Sequence, residues 1–73
     1  MAIVIIHGPQ GAGKSQHAAI FRKRYRCDRI VDGWNPRQAL ESGDLALTTE
    51  APPFAVPGAR VINIAAALKA IGK

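Results

Sequence analysis

The residues in this sequence that are best suited to chemistry form a glycine-rich segment near its start. Residues 8–15 fit the pattern G-x-x-x-x-G-K-S/T, which surrounds phosphate groups with backbone N–H donors. Glycine at three of these positions lets the backbone adopt conformations closed to other residues, so that successive amides can converge on one anion. The residues predicted to bind the cofactor are therefore Gly8, Pro9, Gln10, Gly11, Ala12, Gly13, Lys14 and Ser15.

Three side chains of this segment have distinct predicted roles. The ammonium group of Lys14 is expected to reach the β- and γ-phosphates of a nucleoside triphosphate and to take part in catalysis. The hydroxyl group of Ser15 is expected to hold Mg²⁺. Pro9 has no N–H group, so it is expected to stiffen the loop. The segment therefore predicts ATP and Mg²⁺ as cofactors.

The sequence on either side of this segment can supply the elements that must position it. Residues 2–6 are an unbroken apolar run, typical of a strand buried on both faces of a parallel sheet. Residues 16–26 contain no glycine or proline and can form a helix. We expect this helix to begin near Gly13 and to direct its free N–H groups and positive dipole end at the phosphates.

The rest of the chain alternates between strand and helix patterns. Further strands are predicted at residues 29–32, 45–49 and 60–64, and further helices at residues 37–42 and 65–71. Asn35 is the predicted N-cap of the first of these helices, and Gly72 the stop of the second. Asn63 could instead cap the second helix. Residues 51–58 contain three prolines and are expected to form a loop.

This alternation predicts one α/β domain spanning residues 1–73, with three layers and a small parallel sheet of about four strands. Ligands bind beyond the carboxyl ends of the strands in such sheets. The phosphate-binding segment follows the first strand, at that end of the sheet. Other polar residues that follow strands are therefore candidates for the same site.

Three such residues are Asp32, Thr48 and Glu50. Asp32 ends the second strand and could accept hydrogen bonds from magnesium-bound water; alternatively, Asp32 and Gly33 form only a turn. Thr48 or Thr49 could donate a hydrogen bond to the γ-phosphate. Glu50 could activate a water molecule as general base, or could be an exposed charge at a strand end.

The chain carries ten Lys and Arg residues against five Asp and Glu, a net charge of +5. Much of the excess lies in residues 22–29, a run that could bind nucleic acid phosphates or could be a solvated helix face. Phe21 and Tyr25 are four residues apart and should share with Ala18 the helix face that packs on the sheet. A small core and an exposed sheet edge also make a homo-oligomer or a protein partner plausible.

The compartment is expected to be the cytoplasm. The single cysteine, Cys27, excludes an internal disulfide and is expected to be a small buried side chain. No apolar run approaches the length of a membrane span, and the apolar start lacks the basic residues and cleavage site of a signal peptide.

The segment at residues 8–15 and the strand before it resemble the P-loop NTPases. Residues 32–37, Asp-Gly-Trp-Asn-Pro-Arg, are similar to the DGFPR segment of adenylate kinases with an asparagine inserted. That resemblance implies that Asp32 is the acid on the magnesium side and that Arg37 lies near a nucleotide phosphate. The overall layout also resembles small P-loop proteins of phages and prophages.

The chain is also similar to the additional-strand ATPases, in which the acid strand and the P-loop strand flank a strand that ends in a polar sensor. Residues 47–49 would end that sensor strand, and the implied strand order is 2-3-1-4. Typical P-loop proteins are longer and have a lid and an arginine finger, and neither is evident in this sequence.

Three functions follow from these observations. The first is binding of ATP with Mg²⁺, with hydrolysis that is weak or depends on a partner. The second is a phosphotransferase acting on a small molecule or a nucleotide. The third is a nucleic-acid-binding or regulatory module in which the P-loop is not catalytic.

Overall fold

Four strands form one parallel sheet in the computed structural model, which describes residues 3–11, 13–53 and 56–72. In chain order the strands are β1 (Ile3–His7), β2 (Arg29–Asp32), β3 (Asp44–Thr48) and β4 (Ala59–Asn63). Their order across the sheet is β2-β3-β1-β4. This confirms the predicted fold class and strand order. Ala2, predicted to open the first strand, lies outside the described residues.

The two central strands form the middle of the core. Ile5 of β1 is in register with Ala46 of β3, and both side chains have no solvent exposure. Val4 and Ile6 point to the opposite face from Ile5, since side chains alternate along a strand, and both are also buried. Burial on both faces explains why the first strand is an unbroken apolar run.

Two helices, α1 (Ala18–Arg24) and α2 (Ile64–Ala70), pack on one face of the sheet. Ala18 and Phe21 of α1 are buried in the same cluster as Ile64 and Ala67 of α2. Tyr25 packs against that cluster, which confirms the predicted buried face of the first helix. Each helix has seven residues, and no helix of the described segments has the length and apolar character needed to cross a membrane.

The opposite face of the sheet is covered by irregular segments. Trp34, Leu40 and Val56 pack there against Ile5 and Ala46. The chain passes from β1 to β2 through α1, and from β2 to β3 and from β3 to β4 through these irregular segments. The first connection crosses the sheet in the opposite direction to the other two. Because all such connections have the same handedness, they lie on opposite faces of the sheet. The sheet therefore lies between two covering layers, of which only one is helical.

The prediction of a helix at residues 37–42 is wrong, although the hydrogen bonds of a helix N-cap are present at Asn35. The Asn35 side chain accepts a hydrogen bond from the Arg37 N–H, and the Gln38 side chain accepts one from the Asn35 N–H, both at 2.9 Å. These are the paired bonds of a helix N-terminus. The Gln38 carbonyl, however, accepts a hydrogen bond from the Trp34 indole at 3.1 Å. Only a few residues separate this turn from Gly43, too few to offset the cost of starting a helix, so the turn does not extend into one.

The other boundaries differ from the predictions by small shifts. Asn63 is the last residue of β4, and its side chain accepts a hydrogen bond from the Ala65 N–H at 2.8 Å. The alternative in which Asn63 caps the last helix is thus confirmed. Gly72, at a φ of +81°, donates to the Lys69 carbonyl and ends that helix as predicted. Thr49 lies just outside β3.

Cys27 is a free, buried thiol at the turn between α1 and β2, as predicted. Burial raises the pKa of the Cys27 thiol, and the carboxylates of Asp28 and Asp44 raise it further. The thiol is therefore kept in its neutral form and fills space in the core.

A buried carboxylate joins the amino ends of β2 and β3. Asp44 is 3% exposed and accepts two hydrogen bonds from the Arg29 guanidinium, at 3.0 and 2.8 Å, and one from the Glu41 N–H at 2.9 Å. The side-chain bonds from Arg29, followed by the backbone bond from Glu41, lower the pKa of Asp44. Because its pKa is lowered in the native state, this carboxylate stabilises the fold at pH values above its unfolded-state pKa. The stabilisation is lost as the pH falls through its native-state pKa.

We predict that Asp44→Asn lowers the free energy of unfolding by about 1–3 kcal/mol at neutral pH, because the bidentate charge-assisted pair is lost. The difference from the parent should shrink below about pH 4, where the unfolded-state aspartate is protonated. Thermal unfolding between pH 7 and pH 3 measures both effects. Asp28→Asn, at an exposed position, is the matched control. A difference that is equally large at pH 3 contradicts the prediction.

Candidate functional site

The glycine-rich loop starts at the carboxyl end of β1, where two contacts fix its first residue. The Gly8 N–H donates to the Thr48 carbonyl at 3.1 Å, which continues the pairing of β1 with β3. A Cβ atom on Gly8 would overlap Cγ2 of Ile64 and lie 2.8 Å from its Cβ. Gly8 is therefore required by the close approach of α2, whereas Gly11 and Gly13 adopt positive φ angles of +81° and +93°, as expected for the loop.

The regular helix begins later than predicted. Residues 14–17 form turns, and α1 starts at Ala18. The His17 N–H donates to the Gly13 carbonyl at 3.0 Å, and Nδ1 of His17 is also within hydrogen-bond distance of it, at 2.9 Å. The expectation that a helix starting near Gly13 directs its dipole at the phosphates is therefore wrong. The donors available at this point belong to the loop and turns.

The loop presents several hydrogen-bond donors. Within the described part of the chain, the backbone N–H groups of Gly11, Gly13, Lys14 and Ser15 have no hydrogen-bond acceptor. The Lys14 ammonium donates to the Gly8 carbonyl at 2.5 Å and to the Pro9 carbonyl at 2.9 Å. An ammonium group has three donors, so one remains for a further acceptor. Ala12 lies outside the described residues.

A hydrogen bond joins this loop to the end of β2. The Ser15 hydroxyl donates to Oδ2 of Asp32 at 2.7 Å. The two residues are brought together although β3 lies between β1 and β2. Asp32 is followed by a turn at Gly33, which has a φ of +68°, as in the alternative interpretation in which Asp32 and Gly33 form a turn. After this turn, the Trp34 N–H donates to the Leu47 carbonyl. Asp32 thus precedes a turn and also contacts the loop.

The loop and the strand ends enclose an open cavity of about 570 Å³. The predicted site residues that line it are Gln10, Gly11, Gly13, Lys14, Ser15, Asp32 and Thr48. Thr48 is the last residue of β3 and is 8% exposed. The structure therefore brings these seven predicted residues to one cavity, whereas Gly8 and Pro9, also predicted to bind the cofactor, do not line it.

Glu50 lies apart from this group. It is exposed and lines an adjoining cavity of about 410 Å³, which shares Gly33, Trp34, Thr48 and Thr49 with the first. Its role as general base stays a prediction. Arg37 is exposed and lines neither cavity.

Trp34 is one of the residues that the two cavities share. Its side chain is 4% exposed, packs in the core and donates its indole N–H to Gln38. The structure therefore gives this side chain a packing role.

The oxygen atoms at Ser15 and Asp32 suit Mg²⁺, a hard cation that prefers oxygen ligands. No group of three or more His, Cys, Asp or Glu side chains in the described segments could hold a metal ion. Mg²⁺ is usually bound through one or two carboxylates together with water and substrate phosphates, so a pair of protein oxygens fits this ion. The assignment of Ser15 and Asp32 as the Mg²⁺ ligands stays a prediction.

No protein-family model, curated protein or solved structure matches this chain. The interpretation of the cavity therefore depends on the sequence pattern and on the geometry described above.

We predict that Gly8→Ala destabilises the fold by about 1–3 kcal/mol, because the added methyl group meets Ile64. Ile64→Ala alone should also destabilise, by about 2–5 kcal/mol, because it leaves a cavity. In the double variant the methyl group enters the vacated space, so the combined loss should be smaller than the sum of the two.

Urea unfolding of the parent, both single variants and the double variant measures this coupling. Strict additivity of the two losses would show that the contact between the loop and α2 carries no energy.

Proposed function

We propose that this chain binds ATP together with Mg²⁺ in the cavity beyond the carboxyl ends of β1, β2 and β3. The observation that carries the proposal is the Ser15–Asp32 hydrogen bond beside loop N–H groups that have no acceptor in the described chain. Phosphate donors, an ammonium group and a pair of oxygen ligands therefore share one cavity. The loop pattern and the strand order support membership of the P-loop NTPases.

Each group has a defined part in this proposal. The N–H groups of Gly11, Gly13, Lys14 and Ser15 would bind phosphate oxygens, and the third donor of the Lys14 ammonium would add a charge-assisted bond. Ser15 and Asp32 would hold Mg²⁺, which neutralises phosphate charge when it is bound. Thr48, which lines the same cavity, would contact the terminal phosphate.

We further propose that hydrolysis is weak or depends on a partner. No arginine of the described residues lines either cavity, so the described chain offers no guanidinium to stabilise the charge on a transferred phosphoryl group. The cavity is also open to solvent, whereas catalytic phosphate sites usually exclude water. A partner could supply both functions. The buried free thiol of Cys27 supports a reducing compartment, for which we propose the cytoplasm.

The adjoining cavity supports a second candidate function, phosphoryl transfer to a small molecule or a nucleotide. It shares Thr48 and Thr49 with the phosphate cavity, so an acceptor bound there would lie next to the proposed nucleotide. Measuring ADP release with and without candidate acceptors separates transfer from hydrolysis. A rate that no acceptor raises eliminates this candidate.

We predict that MgATP at a hundred times its Kd raises the unfolding free energy by about 2.7 kcal/mol, a shift in Tm on the order of 10 °C for a domain of this size. Lys14→Ala should abolish the shift, because the phosphates lose their cation. Lys69→Ala, an exposed lysine of α2, is the matched control and should retain it.

Asp32→Asn adds a second test within the same thermal assay. It should remove the gain that Mg²⁺ gives to ATP binding while leaving binding of metal-free ATP intact. Asp28→Asn should leave both unchanged. A Lys14→Ala protein that is stabilised as much as the parent would exclude the proposed site.

We predict that Glu50→Gln lowers the rate of ATP hydrolysis without changing the Kd for MgATP, if this carboxylate activates water in the adjoining cavity. Glu41→Gln, also exposed, is the control. Phosphate release and equilibrium titration measure the two quantities separately. An unchanged hydrolysis rate would assign Glu50 to the solvated strand end.

A further inference from the structure

Positive side chains from four parts of the chain collect at the amino ends of the strands, opposite the proposed nucleotide cavity. Both helices run back from the carboxyl ends of the strands, so their last turns lie at this edge. Apart from Arg29, which is paired with Asp44, the exposed cations of the described residues here are Lys23 and Arg24 of α1, Arg26 of the following turn, Arg60 of β4 and Lys69 of α2. We call these five residues the basic edge.

Tyr25 organises two members of the basic edge. Cζ of Arg24 lies 5.6 Å from the centroid of the Tyr25 ring, and Cζ of Arg60 lies 5.7 Å from it. The tyrosine is itself half-buried and packs against the core beneath the helices. The ring therefore lies within cation–π distance of two guanidinium groups, one from a helix and one from an edge strand.

These two guanidinium groups are not neutralised. In the described part of the chain, neither Arg24 nor Arg60 forms an ion pair or a side-chain hydrogen bond, in contrast to Arg29, which binds Asp44. Each keeps its N–H donors in a planar fork that matches a phosphate group.

We propose that the basic edge is a binding surface for single-stranded nucleic acid, with backbone phosphates on the Arg24 and Arg60 guanidinium groups. Lys23, Arg26 and Lys69 would extend the contact along the strand. A nucleic acid is favoured over an anionic membrane because guanidinium groups beside an aromatic ring can also stack on unpaired bases, which a lipid headgroup does not offer. This surface is separate from the nucleotide cavity, so the proposal does not depend on ATP binding.

We predict that the parent protein binds a short fluorescein-labelled single-stranded oligonucleotide with an affinity that falls steeply with salt. Arg24→Gln/Arg60→Gln should weaken binding by about tenfold, and the slope of log K against log salt should decrease by about 0.7 for each phosphate that the variant no longer neutralises. Fluorescence anisotropy over a series of salt concentrations measures both. Arg37→Gln, at an exposed position in the segment between β2 and β3, is the control and should change affinity by less than about twofold.

Variants at Tyr25 separate the role of the ring from that of charge. Tyr25→Phe keeps the ring and should bind like the parent, whereas Tyr25→Leu keeps apolar packing but releases the two guanidinium groups and should bind more weakly. Thermal unfolding shows whether each variant is folded.

Four outcomes would overturn the proposal. They are an absence of oligonucleotide binding, an affinity that is independent of salt, an equally large decrease in affinity for Arg37→Gln, and binding to phosphatidylserine vesicles but not to the oligonucleotide. A failure of MgATP to stabilise the protein would leave this proposal unaffected, because the two assays probe opposite edges of the sheet.

Discussion

The parallel pairing of β1 with β3 is the constraint on which the rest of this structure depends. Val4 is in register with Leu45, and His7 with Thr48, so the two buried strands end together. The pairing continues through the Gly8 N–H into the loop. Because β3 pairs with β2 on its other side, the same hydrogen-bond ladder also fixes the position of Asp32 at the end of β2. The distance between the loop and the acid is thus set by backbone hydrogen bonds within a dry core.

That arrangement matters because the chain has little else to hold the loop. The helix after the loop has seven residues and starts at Ala18. Residues 14–17, between the loop and this helix, form turns and are not part of the regular helix. The loop is instead held by contacts from three sides: Ile64 packs against Gly8, His17 contacts the Gly13 carbonyl, and Ser15 binds Asp32. Local contacts of this kind can fix a small loop without a long helix behind it.

Much of the fold could be predicted from sequence because its signals are local. Apolar runs indicated the strands, the spacing of Phe21 and Tyr25 indicated the buried helix face, and Asn63 offered a side-chain cap. The helix at residues 37–42 failed because Trp34 packs in the core and its indole N–H donates to the Gln38 carbonyl, which takes an acceptor that a second turn would use. Propensity and capping signals carry no information about such a competitor.

The features that sequence reasoning missed all join residues that are distant in the chain. Asp44 precedes an apolar run and gives no sign that Arg29 will bind it as a bidentate partner. The approach of Ile64 to Gly8 and of Arg60 to Tyr25 likewise appears only once the strand order is known. Strand order therefore determines much of the site and of the basic edge. The sequence around each residue gives no sign of these contacts.

The position of Trp34 gives this small protein an internal optical reporter. It is the single tryptophan of the chain, and it lines both cavities. Indole emission responds to the polarity around the ring, so a molecule that enters either cavity would alter the fluorescence without any label. Events at the far edge of the sheet would leave that emission unchanged, and one spectrum would then distinguish occupancy of the two ends of the molecule.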